Sequence, residues 1–267
     1  MLTSRTSVMS ALCALELLLA APTSAASDVC EGFGPQAPRD ITSSAGSNTA
    51  AFPLAPPAAS MNLCNIHTHT HAEHKGPDFA IFAGDGEHGG YKCNASGTLT
   101  ASELEDPTQG HGAFHGVKPG DTIEVHWVFT TCDVKPGPTL DACSSAACAN
   151  PTLRVEAQVF LVVNDGEAPS FVDYAYGGQV VNGLHQPKTL PTNTGEPVVF
   201  RGSTTGPKYT QVACSPMQVT WSVRPRCSRL SFSSLMDWAA KGNVFNEDHS
   251  HGVRPLVTAP ELLSPIE

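Results

Sequence analysis

The strongest constraint on this fold is covalent. Cys30, Cys64, Cys93, Cys132, Cys143, Cys148, Cys214 and Cys227 follow an N-terminal segment with the features of a signal peptide. Arg5 gives that segment a positive start, and Val8 to Ala21 is largely apolar although Glu16 interrupts it. Thr23, Ser24, Ala25 and Ala26 form a small-residue cleavage region. Cleavage there removes Cys13 and leaves an even set. An even set in a secreted chain predicts a disulfide framework, formed in the periplasm or the extracellular medium. The sequence leaves the pairing open. A thiolate metal site is the competing use of cysteine. Only Cys143 and Cys148 approach the close spacing of zinc-binding pairs, and no second pair follows.

The segments to be bridged read as strands. The 23 glycines and 22 prolines punctuate the chain with turn signals. Between them lie β-type runs at Leu63 to His71, Thr122 to Thr131, Leu153 to Asn164, Val198 to Arg201 and Gln218 to Val223. One helix is expected at Phe232 to Lys241, capped by Ser233 or Ser234 and ended by Gly242. The expected fold is mainly β (α+β), a single domain around a large twisted sheet with few short helices. Residues 1–26 are the expected signal peptide, 27–60 an extended lead-in, 61–256 the main domain and 257–267 a tail. The chain after Asn243 reads as irregular. Charged residues are 15% and hydrophobic residues 40%, the balance of a packed domain rather than a disordered one. A net charge of −10 disfavours nucleic acid and anionic membranes as partners. No run after the leader is long and apolar enough to span a bilayer, so no membrane anchor is expected. Neither a Gly-rich phosphate loop nor a G-x-S-x-G elbow is present. A homodimer is compatible with this reading.

The chemistry concentrates in Cys64-Asn65-Ile66-His67-Thr68-His69-Thr70-His71-Ala72-Glu73-His74-Lys75. On a strand, residues i and i+2 share a face about 7 Å apart, so His67 and His69 can converge on one ion. His71 extends the same face and competes as a ligand. A third imidazole comes from His126, two residues after Glu124 on the second expected strand. Three neutral imidazoles leave a tetrahedral zinc one open position, the catalytic arrangement, in which a bound water has its pKa lowered to about 7. Glu124 is spaced to accept from His126 and fix its tautomer. A non-catalytic metal-binding tract is the alternative for so dense a cluster. A second H-x-H, His249 and His251, sits in a polar tail with Glu247 and Asp248 and reads as solvated or as a second site. His88, His111 and His115 lie among glycines and read as loop residues.

The run from Cys64 to Gly76 resembles the hallmark of delta-class carbonic anhydrases. Val134 to Leu140, Leu153 to Phe160, Gly202 to Pro207 and Cys214-Ser215-Pro216 are also similar to that family, so the resemblance spans about residues 30–256. A weaker similarity of motif order links the chain to the alpha class, through Gln36 to Ile41, His67 and His69, Ala72-Glu73-His74, Glu124 with His126, and Gly202 to Pro207. The resemblance implies an alpha-carbonic-anhydrase-like fold and zinc-dependent reversible hydration of CO2 to bicarbonate and a proton, through zinc-bound hydroxide. His67, His69 and His126 would hold Zn2+, for which cobalt or cadmium could substitute. Thr204 would link the hydroxide to the carboxylate of Glu73, Thr205 would line the bicarbonate site, and Glu124 would hold His126. The proton needs a shuttle; the candidates are His71, His74, His111 and His115. Val128, Val159 and Trp221 are candidates for an apolar CO2 wall. The rival readings are a secreted non-catalytic metal-binding protein, another zinc hydrolase such as an esterase, and a disulfide-held β-domain with incidental histidines.

Overall fold

The structure is a computed structural model that describes residues 30, 32–38, 40–204, 209–253 and 257–266. The expected signal peptide and Thr205 lie outside the described residues. The described strands, in chain order, are β1 (Asn62–Thr70), β2 (Ile81–Gly84), β3 (Gly90–Lys92), β4 (Thr122–Thr130), β5 (Leu153–Val163), β6 (Val180–Val181), β7 (Leu184–His185), β8 (Val198–Ser203), β9 (Gln218–Val223), β10 (Ser228–Ser231) and β11 (His251–Gly252). The helices are the single turn α1 (Phe171–Tyr174) and α2 (Phe232–Ala240). Among the described residues, seven strands form one mixed sheet ordered β11-β1-β4-β5-β9-β8, with β10 paired to β5. The β2–β3 and β6–β7 pairs stand apart as ribbons. The expectation of a mainly β fold around one large sheet with few short helices holds.

Burial on both faces of the sheet explains why its central strands are so apolar. On one face, Ile123, Val125, Trp127 and Phe129 of β4 pack with Phe160 and Val162 of β5, under Phe232, Leu235 and Trp238 of α2. On the other, Val128 joins Val155, Val159 and Leu161 of β5, Trp221 of β9 and Phe200 of β8. Gly202 permits this second layer: a Cβ there would stand 2.7 Å from the Trp221 ring. The helix matches the expected span, but Ser231 occupies the N-cap position and makes no side-chain cap bond. Ser234 instead donates to the Ser231 carbonyl at 2.7 Å and accepts from Phe171 N at 2.8 Å, joining the two helices. Gly242, at φ +66°, ends the helix as expected, in a conformation that costs glycine little.

The register of β1 carries the largest functional consequence. Leu63 pairs with Phe129 and Asn65 with Val128, so Cys64 is an extra residue, a β-bulge. Without it, Leu63 and Ile66 would point to opposite faces. With it, both enter the α2-side core, and His67 and His69 turn to the other face.

All eight expected cysteines pair, as Cys30–Cys214, Cys64–Cys143, Cys93–Cys227 and Cys132–Cys148. The expected lead-in is irregular but docked. Gln36 is fully buried, its amide donating to the Ser215 carbonyl and accepting from Ser203 and Ser215. The segment after Asn243 is not wholly irregular, because β11 pairs in parallel with β1, His69 opposite His251. Leu262 and Leu263 of the expected tail are buried with Cys214.

The Cys64–Cys143 bridge ties the bulge to the turn that follows Thr139. The double variant Cys64→Ser/Cys143→Ser should lose about 2–5 kcal/mol of unfolding free energy in denaturant melts.

Candidate metal centre

Antiparallel pairing sets His67 directly opposite His126, and His69 opposite Glu124. The three imidazoles therefore meet on one face: ring centroids are 5.1 Å apart for His67–His69, 5.0 Å for His67–His126 and 4.7 Å for His69–His126. One ligand atom from each lies within 4.8 Å of the others.

Hydrogen bonds decide which nitrogen His67 and His69 offer. His67 donates Nδ1–H to Asn65 Oδ1 at 2.6 Å, leaving Nε2 with its lone pair. His69 donates Nδ1–H to the Gly252 carbonyl at 3.1 Å, and its Nε2 is buried without a hydrogen-bond partner. His126 turns Nε2 toward Glu124 Oε1 at 3.5 Å, so Nδ1 faces the centre, 3.2 Å from His67 Nε2. Two nitrogens bound at about 2.0–2.1 Å to a tetrahedral ion stand about 3.3 Å apart. The donor set thus suits a metal ion in kind and number, and the His67–His126 spacing matches tetrahedral coordination.

The electrostatics keep the His67 and His69 rings neutral, as ligands must be. Burial, and then the neighbouring His126, hold His67 well below the ordinary imidazole range. Burial pushes His69 down to about 4, against the opposing pull of Glu73.

Glu124 faces His126, whose Nε2 is buried without a hydrogen-bond partner, and it holds His74, which sequence reasoning did not connect to it. Its Oε1 accepts from His74 Nδ1 at 2.7 Å, while Oε2 accepts the backbone N–H groups of Glu73 at 2.5 Å and His74 at 3.3 Å. Burial opposes its charge, but the His74 and His126 rings hold the carboxyl well below its usual range. The Trp221 ring lies edge-on to both histidines, at 4.8 Å and 5.1 Å.

The other expected site residues separate into those near the centre and those away from it. Glu73 is buried, its Oε1 3.8 Å from His69 Nδ1. Thr204 lines the cleft, but among the described residues its hydroxyl bonds Ser215 Oγ at 2.7 Å and not Glu73. His71 does not join the cluster of His67, His69 and His126 and does not line the cleft; its Nδ1 faces the His88 and Gly89 carbonyls at 2.9 Å and 3.2 Å. His74 is only 1% exposed and already committed to Glu124, so it is not placed to pass a proton to solvent. Val128 and Trp221 line the cleft, whereas Val159 is core.

The cleft of about 480 Å³ over the histidines has a wall that the sequence reading did not foresee. Phe245, Asn246, Glu247, His249 and His251 line it. The Glu247 carboxylate is buried; Oε1 accepts from Thr68 N at 2.7 Å and Oε2 faces His251 Nε2 at 3.0 Å. The second H-x-H was a visible signal, but only the β1–β11 pairing reveals where it lies.

Two outcomes follow from this electrostatic arrangement. In the metal-free protein, the depressed His67 and His69 values mean that the unfolded chain binds more protons below about pH 6.5. Unfolding free energy should therefore fall as pH drops from about 6.5 toward about 4, measured by urea melts across that range. Glu124→Gln should weaken metal affinity by roughly 10- to 100-fold in competition titrations with a chelator.

The comparisons with known proteins address the same region. The family model for Delta carbonic anhydrase matches residues 58–234. No curated protein matches the chain. A solved structure, the complex of alpha-carbonic anhydrase from Thermovibrio ammonificans with the inhibitor sulfanilamide, aligns at 16% identity and a TM-score of 0.26, over 81% of this chain and 83% of that one. The matched family segment runs from the turn before β1 into α2 and so contains His67, His69, His126 and Glu124: the chain belongs to the delta carbonic anhydrase family.

Proposed function

We propose that this protein is an enzyme, a zinc carbonic anhydrase that interconverts CO2 and bicarbonate. The observation that supports this most directly is the pairing of His67 with His126 across β1 and β4, which aims two Nε2 atoms and one Nδ1 atom at a common point. Zinc held by His67, His69 and His126 would supply Lewis acidity, bringing the pKa of a bound water to about 7; cobalt or cadmium suit the same donors.

The chain's own residues then have distinct tasks. Asn65 and the Gly252 carbonyl would fix the tautomers of His67 and His69, and Glu124 would orient His126. Val128, Leu140, Val155 and Trp221 give the cleft an apolar side suited to a nonpolar gas. Thr204 presents a hydroxyl at the cleft wall, where it would orient the attacking oxygen, with Ser215 in the partner role first expected of Glu73. Glu73 would act through His69 instead. His74 would brace Glu124, and Thr205 would line the bicarbonate site.

The four bridges suit an oxidising compartment, so we place the enzyme in the periplasm or extracellular medium, after removal of its leader. No described helix is long and apolar enough to cross a membrane.

His126→Ala should abolish both zinc retention and CO2 hydration, read by metal analysis and stopped-flow pH-indicator assay. Stoichiometric zinc on the wild-type protein with no hydration would instead leave a metal-binding protein without catalysis.

A further inference from the structure

The indole groups of the chain differ in one respect. Trp127 Nε1 donates to the Tyr174 carbonyl at 2.8 Å, and Trp221 Nε1 to the Ser203 carbonyl at 3.0 Å. Trp238 Nε1 has no partner among the described residues, although the residue is only 5% exposed. A buried N–H without an acceptor is destabilising, so this one calls for an explanation. The Phe171 ring meets the indole edge-on at 4.6 Å and helps to hold it in place. Trp238 also forms part of the wall of a second cavity, of about 400 Å³, between the segment that follows α1 and the C-terminal end of α2.

The chemistry of that wall is one-sided. Its charged residues are Lys188 and Lys241, and among the described residues no carboxylate lines it, in a chain of net charge −10. Lys188 is seated there. Its backbone N–H donates to the Ala175 carbonyl at 3.0 Å, and its stem lies so near Gly177 that a Cβ there would stand 3.2 Å from Cε. Lys241 has an exposed partner, Asp237 at 3.5 Å, in a pairing that water weakens. The other polar side chains of the wall are committed, Tyr176 to His185, and Asn243 to Phe245 and Glu247. What remains is an indole N–H and two ammonium groups, all of them donors without acceptor capacity. Val172, Ala175 and Val244 supply an apolar remainder.

We infer that this cavity is a binding site for a small carboxylate with an apolar body. One carboxylate oxygen accepts from Trp238 Nε1 and the other from a lysine ammonium, while the body packs on Val172, Ala175 and Val244. The volume suits an aromatic or short aliphatic acid. The inference does not rest on the carbonic anhydrase reading, because this cavity and the metal cleft share no lining residue. Asn243 nevertheless connects them: it lines this cavity, and its side chain braces the turn that carries Phe245 and Glu247 into the cleft.

The test uses the mature protein with benzoate as the probe. In NMR spectra of isotope-labelled protein, the indole N–H signal of Trp238 is the one missing from Trp238→Phe. Its proximity to the Phe171 ring protons identifies it equally well should that variant fail to fold. Benzoate should shift this signal downfield and saturably, leaving those of Trp127 and Trp221 in place. The double variant Lys188→Ala/Lys241→Ala, at exposed positions, should bind at least about tenfold more weakly, as loss of a charge-assisted hydrogen bond requires. Benzamide has the same body without the charge, and inorganic phosphate has charge without the body; each should bind at least about tenfold more weakly than benzoate. A Trp238 signal that benzoate leaves unmoved, equal binding of benzamide or phosphate, or unaltered affinity in the lysine variant overturns the site. None of these readouts requires bound zinc or CO2 hydration, so failure of the carbonic anhydrase reading leaves them intact.

Discussion

The pairing of β1 with β4, offset by one bulged residue, is the constraint on which the rest of the molecule depends. Side chains alternate across a strand, so a one-residue slip would send His67 and His69 into the aromatic core under α2. The bulge at Cys64 reconciles two demands. Leu63 and Ile66 must both enter that core, and the histidines must leave it. Cys64 itself is held by its bridge to Cys143 and packs with the second core. Apolar burial on one face thereby fixes the position of imidazoles on the other.

Around that register the fold builds a dry, hydrogen-bonded surround. Glu124 has four contacts: the rings of His74 and His126, and two backbone N–H groups from the turn after β1. A buried carboxylate without such partners would be costly, and here each partner also has a purpose at the centre. The result is that His67 and His69 stay neutral, with Asn65 and Gly252 deciding which nitrogen each presents. Trp221, lodged against Gly202 and bonded to the Ser203 carbonyl at 3.0 Å, supports the His74 and His126 rings from β9.

The C-terminal segment completes the cleft from a distant part of the chain. Glu247 takes the place of a neighbouring strand beside Thr68, between two of the candidate ligands, and β11 continues the pairing from His69 onward. The wall that carries His249 and His251 is thus anchored to the strand it faces, which couples the cleft mouth to the centre.

Local pattern was enough for much of this. The long β-branched runs of β4 and β5 declare themselves because strands buried on both faces must be apolar throughout, and the period-two spacing of His67 with His69 and of Glu124 with His126 places each pair on one face. The even cysteine count announced bridges, and Gly242 announced the end of α2. What local pattern does not contain is relative placement. The bulge at Cys64, the choice of His67 over His71, the engagement of Glu124 by His74, the turn of Thr204 toward Ser215, and the arrival of His249 and His251 at the cleft all depend on contacts between residues far apart in sequence. A histidine's role is set by which nitrogen is already bonded and how much water reaches it. Those are properties of the packed chain, settled only when β1, β4 and the C-terminal segment come together.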